Sequence, residues 1–413
     1  MKLRKKLFLL LIINLTACSS GDDSITPVTN PDPIGNPSNG LILCENGFAD
    51  IYPCNGYDLV ARIPLSDLNA SGGNDIWGWT DTTTNKEYAI IGLSNGVAFI
   101  DISDPVNPVF LGTLPTATSS STWRDIKVYN NHAFIVGDNV GQHGMQVFDL
   151  TRLRNVENPP QNFSADTTFS GFGSAHNIAI NEATGYAYIV GADRNSTYRG
   201  GPLFINIQNP TNPILEGGYG GGGYSHDAQV VIYNGPDTEH VGKEIYVGSN
   251  ESQAVIVNVT DKNNPIGIST MAYSNLRYTH QAWFTEDHRY LIIGDELDES
   301  GFGFNTRTLI FDVQDMDNPV LHTTYSGLTK AIDHNGYTKG NEFFLSNYTA
   351  GVRILDISGI DSGTIIESGF FDTFPDNDGT TFNGVWSVYP YFQSGNIIIS
   401  DANNGFFIIR KSN

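Results

Sequence analysis

The stretch "GVAFIDISDPVNP", residues 96–108, couples a β-branched and aromatic run to a polar residue, Asp101, and closes on a proline-rich turn. It recurs along the chain. "GMQVFDLTRL" starts at Gly144, "GPLFINIQNPTNP" at Gly201, "AVIVNVTDKNNP" at Ala254, "TLIFDVQDMDNP" at Thr308, "GVRILDISGID" at Gly351 and "GFFIIRKSN" at Gly405. Between the central polar residues of the first six copies (Asp101, Asp149, Asn206, Asn258, Asp312 and Asp356) the steps are 48, 57, 52, 54 and 44 residues. Such periods belong to propeller blades and not to the shorter turns of a solenoid.

Each copy has a second short run ahead of it, among them "YAIIGLS", "AFIVGDN", "YAYIVGAD" and "YLIIGDE". A third precedes that, such as "HNIAIN", and a fourth follows the turn, such as "PVFLGTL". Four short strands separated by turn residues make one blade. The seventh copy is followed by no fourth run, whereas "YDLVARIPL", residues 57–65, precedes the first blade with no blade of its own. Pairing that run beside residues 406–410 removes an open sheet edge. The expected fold is therefore all-β, a seven-bladed β-propeller over residues 43–413, closed by an N-terminal strand that completes the last blade.

The start of the chain gives an address. Lys2, Arg4, Lys5 and Lys6 precede an apolar run, residues 7–13, and "LTAC" ends at Cys18. That run is too short to span a bilayer. Residues 1–17 resemble a bacterial lipoprotein signal peptide, which implies cleavage before Cys18 and acylation of its thiol, so that the protein meets the membrane through its N-terminal lipid. Residues 18–42, rich in Pro, Asn and Ser with no apolar period, read as a disordered tether. Asp22 and Asp23 just behind the cysteine resemble the surface-export signals of Bacteroidetes lipoproteins. The outer face of the outer membrane is the expected location, with its periplasmic face as the alternative. Cleavage would leave 18 basic residues against 44 acidic ones, a net charge of −26. Such a surface repels phosphate backbones, which argues against nucleic acid as a partner. The remaining cysteines, Cys44 and Cys54, suit a structural disulfide in an exported chain, worth roughly 3 kcal/mol by loop entropy.

The "DISDPxNP" phrases resemble the LVIVD repeat. Together with "CENGFADIYPC", "NDIWGWTD", "STWRDIKVY", "NHAFIVGD" and "HGMQVFDLTRL", they resemble the choice-of-anchor B family of bacterial surface proteins from about Leu43 to the C-terminus. The resemblance implies a β-propeller whose attachment differs between members. It supplies no activity and no catalytic residue.

Four of the nine histidines start innermost strands of consecutive blades: "SAHNIA" at His176, "YSHDAQ" at His226, "YTHQAW" at His280 and "AIDHNGY" at His334. The same place elsewhere holds Asp75 and Trp77, then Arg124 and Asp125, and finally Trp386. These nine residues form the candidate site at one mouth of the central channel. Loops of unequal length, "ELDESGFGFNTR" the longest, overhang that mouth and suit a recognition surface. Tyr198, Phe302, Phe304 and Tyr348 are its expected exposed contacts. The histidines admit two readings. One is a scaffold device that locks neighbouring blades, as in WD-type propellers. The other is a divalent metal site built from His176, His226, His280 and His334, which in outline resembles the four-histidine centre of carotenoid-cleaving oxygenases. The functions that follow are a binding module for a protein or glycan at the loop face, a metal-dependent enzyme at the channel mouth, or a structural part of a surface assembly.

Overall fold

The computed structural model describes residues 40–413; the expected signal peptide, Cys18 and the expected tether through residue 39 lie outside the described residues. Every copy of the repeat forms the third strand of a blade, from Gly96–Asp101 in the first to Gly405–Lys411 in the seventh. The conserved position of its polar residue has a local cause. Asp101 Oδ1 accepts the Ser103 amide at 2.9 Å, and Asp149, Asn206, Asn258, Asp312 and Asp356 each accept from the residue two further on at 2.8–3.0 Å. This Asx turn ends the strand and directs the chain into the hairpin that follows.

Seven sheets result, each built on a four-stranded antiparallel blade; the first and sixth gain added edge strands, and the second and seventh depart from simple sequence order. In the seventh, Tyr57–Ile63 pairs with Gly405–Lys411, Tyr57 opposite Lys411 and Ile63 opposite Phe406. The ring therefore closes with three strands from the C-terminal end of the chain and one from the N-terminal end. The second blade carries an insertion. A 3-10 helix, Leu150–Asn155, leads into Gln161–Asn162, which pairs in parallel with the outer strand of the first blade, before Thr167–Phe169 returns as the fourth strand.

The Cys44–Cys54 disulfide is present. It does more than hold the closing strand. Ile42 and Leu59 exchange amide hydrogen bonds at 2.8 and 3.0 Å, while Cys54 pairs with Phe371 on the outer edge of the sixth blade. One small loop thus straddles the sixth and seventh blades.

The core is divided into wedges between blades. Tyr88, Ile90 and Phe99 of the first blade pack with Ile126, Ile135 and Phe148 of the second, the rings of Phe99 and Phe148 stacked 4.5 Å apart. Among the described residues, helix is confined to short pieces in loops. No helix among the described residues is long and apolar enough to cross a membrane.

Candidate functional site

Side chains two apart on a strand share a face, so each inner strand presents a series of residues to the channel. Asp75, Asp125, Asp227 and Gln281 form a middle belt, and Trp77, Lys127, Gln229 and Trp283 lie one step further along the same strands. The belt stitches blades together. Asp75 Oδ2 accepts the Ile126 amide of the next blade at 3.1 Å, Asp125 Oδ2 the Ile178 amide at 3.0 Å, and Gln281 Oε1 the Gly336 amide at 2.6 Å. Gln229 Oε1 repeats the pattern with the Phe284 amide at 2.8 Å.

At the centre of the belt, Lys127 Nζ lies 2.5 Å from Asp125 and 3.1 Å from Asp75, all three buried. Burial opposes the lysine's charge, but the two carboxylates outweigh it and hold Lys127 protonated. Burial, then the charge of Asp75, push Asp125 well above the usual carboxylate range. Burial works against ionised Asp75 as well, yet Lys127 keeps it below that range. Asp227, further round the ring, is pushed up to about 6 by burial.

The four histidines sit above this belt. His280 occupies a break in pairing register between Thr279 and Gln281, and His176, His226 and His334 precede the first regular pair of their strands. Such irregularities re-aim a side chain. Successive imidazoles stand 4.0, 4.4 and 4.3 Å apart between ring centres, forming an arc over four blades. The outer two are tied: His176 Nδ1 to Asp138 at 3.1 Å, and His334 Nδ1 to the Trp386 carbonyl at 2.5 Å. The inner two are not. Both ring nitrogens of His226 and Nδ1 of His280 are buried without a well-formed hydrogen bond among the described residues, the His226 ring meeting only the His280 backbone. Burial lowers His226 and His280 far below the ordinary imidazole value, and His334 to about 3, so these rings are neutral at pH 7.

Glu296 stands beside them. Its carboxylate lies 3.6 Å from His280 Nε2 and 3.6 Å from His334 Nε2, and accepts the Tyr348 hydroxyl at 3.0 Å. A cavity of about 20 Å³ is bounded by the four histidines with Asp75, Arg124, Asp125 and Trp386. Arg124, lowered to about 10 by burial, reaches His143 Nε2 at 3.2 Å and the Leu93 carbonyl at 3.2 Å. Eight of the nine residues expected at this mouth thus converge. Trp77 does not, because it lies one step too far along its strand. Tyr348 is not an exposed contact either; it is fully buried against His334. Phe302 is exposed and stacks on Phe304, while Tyr198 is half-buried.

Below the belt, at the opposite end of the channel, is a larger cavity of about 320 Å³. Trp77, Trp283, Tyr337, Tyr389 and Tyr391 form its aromatic wall, with Asn177, Gln229, Gln281, Asp227 and Glu182 as polar groups. Trp77 meets Tyr389 at 5.1 Å and Trp283 meets Tyr337 at 4.8 Å, both edge to face. Lys339 Nζ donates to the Pro390 carbonyl at 2.5 Å and holds the turn that carries Tyr391. Sequence reading passed over this cup. The signal was available as aromatic residues two positions after Asp75, Gln281, Asn335 and Ser387.

No family model and no curated protein matches the chain. Solved structures do match it. Hydrazine synthase of Kuenenia stuttgartiensis is similar at 11% identity, with 79% of this chain and 92% of that one covered and a TM-score of 0.54. The Cps50 (Swd1) β-propeller domain of Myceliophteria thermophila is similar at 10% identity over 87% of this chain and 100% of that one, with a TM-score of 0.52. A protein of unknown function from Desulfotomaculum acetoxidans is similar at 13% identity over 84% and 98%, with a TM-score of 0.51. At these identities the likeness is one of fold, and the chain is a seven-bladed β-propeller.

Proposed function

We propose that this chain is a lipid-anchored binding module of the outer cell surface that takes a neutral glycan in its aromatic cup. The observation that carries the reading is the composition of the 320 Å³ cavity: two tryptophans and three tyrosines facing a set of amides and carboxylates. Its volume falls at the lower end of small-ligand sites, roughly 300–1,000 Å³. Indole and phenol faces match the apolar C–H faces of a sugar ring, and amide and carboxylate groups match its hydroxyls. Lys127 already lies 4.6 Å over the Trp77 ring, which disfavours a cationic ligand there. The same ammonium is engaged by Asp75 and Asp125, which leaves it poorly placed to hold a phosphate or sulfate. The cup opens away from the loops that follow the second strands, so this reading moves recognition to the other face of the ring.

Titration with a panel of neutral oligosaccharides, followed by tryptophan fluorescence and calorimetry, tests the reading. At least one should bind, and Trp283→Ala should weaken it about tenfold or more, equivalent to about 1.4 kcal/mol. Absence of binding across the panel, or equal binding by the variant, overturns it. The anchor has its own test. Cys18→Ala should remove the acyl mass and release the protein from the membrane fraction, and a mature N-terminus other than Cys18 would contradict it.

A further inference from the structure

We propose that the histidine mouth binds one divalent transition-metal ion through the imidazoles of His226 and His280 and the carboxylate of Glu296. One ligand atom from each of these residues lies within 4.8 Å of the other two. Imidazole nitrogen with a single carboxylate oxygen is a donor set suited to zinc and its first-row neighbours.

Polar satisfaction points the same way. A buried polar atom without a partner costs about 1–3 kcal/mol, and three imidazole nitrogens carry that cost side by side, two on His226 and one on His280. A purely structural arc would tie every ring as it ties His176 and His334. Of the two untied rings, His280 lies 3.6 Å from Glu296, and the Tyr348 hydroxyl fixes that carboxylate. The cavity that His226 and His280 border, about 20 Å³, admits one atom-sized occupant. It does not admit an organic substrate, which separates this site from the cup below.

Arg124 lines the same cavity from the second blade, with Nη2 buried and unpartnered. Its charge opposes a bare cation. It favours a metal that carries a small anion, such as hydroxide, on the side facing the second blade. His143, at 3.2 Å, positions the guanidinium for that contact.

The full chain, stripped with chelator and titrated with Zn2+ alone, should take up one equivalent, and Co2+ in its place should give visible ligand-field absorption. His226→Ala and Glu296→Gln should each weaken uptake by more than the roughly 10- to 100-fold that loss of an outer-shell partner causes. His240→Ala is the control: His240 forms a second, partly exposed cluster with Asp237 and Asp317 at the rim, and its loss should leave the tight equivalent unchanged. Should His226→Ala fail to fold, His280→Gln and the Co2+ spectrum of the parent protein decide the matter. No tight uptake of either ion by the parent, which would leave a lone water in the cavity, overturns the proposal. Uptake insensitive to His226, His280 and Glu296 does the same.

Discussion

Replacing Lys127 with methionine should destabilise the ring by about 3–5 kcal/mol, the usual consequence of removing one partner from a buried ion pair. The pair here is a triad. Asp75 and Asp125 come from adjacent blades and both face the ammonium, at 3.1 and 2.5 Å. Without it, two buried carboxylates confront each other and their folded-state pKa values rise above the unfolded value of about 3.9. A group raised in the folded state stabilises fully below its unfolded pKa, and that contribution is lost as pH climbs through the folded value. The deficit of the variant should therefore be smallest near pH 4–5 and grow toward pH 8. Adding Asp75→Asn and Asp125→Asn should recover part of the loss, since the amides are neutral. Chemical denaturation across that pH range measures it. A deficit below about 1 kcal/mol at pH 7, or one that does not change with pH, would show that the triad is dispensable.

Removing residues 1–65 should prevent a stable monomer from forming. Tyr57, Leu59, Val60 and Ala61 of the closing strand are all at least 97% buried, and each large apolar side chain contributes roughly 1.5–3 kcal/mol. Their sum approaches the 5–15 kcal/mol that holds a typical domain together. Deletion also leaves Gly405–Lys411 as an unpaired edge, a template for pairing with another copy. A permutant separates loss of closure from loss of these residues. Because Tyr57 stands opposite Lys411 and the Ser412 amide reaches the Gly56 carbonyl at 2.9 Å, residues 56–65 joined after Asn413 through a short turn would refill the edge as a hairpin. The truncated chain should aggregate on size exclusion, and the permutant should run as a monomer. A truncated chain that is monomeric with the parent's unfolding midpoint would sink the closure argument.

Seven copies of one phrase, their spacing, and a spare strand before the first blade were enough to read off the ring and the way it closes. This works because strand, turn and Asx contact are local: Asp101 reaches an amide two residues away, and each blade repeats the instruction. The disulfide was legible for the same reason, ten residues separating its cysteines. The arc of histidines was legible too, since each ring enters at the same point of its own blade.

What the repeat does not encode is which of those side chains finds a partner. Asp75 and Lys127 are 52 residues apart and meet only because neighbouring inner strands lie side by side around the channel. Tyr348 sits in a loop that sequence reading places at the surface, and it is buried because the ring turns it against His334 and Glu296. Trp77 and Trp283 share one cup by lateral packing, not by any spacing along the chain. Local periodicity determined the blades, their number and their order. Only the circular packing of blades decided that His176 and His334 are satisfied while His226 and His280 are not, because satisfaction is a property of pairs of blades and the chain specifies blades one at a time.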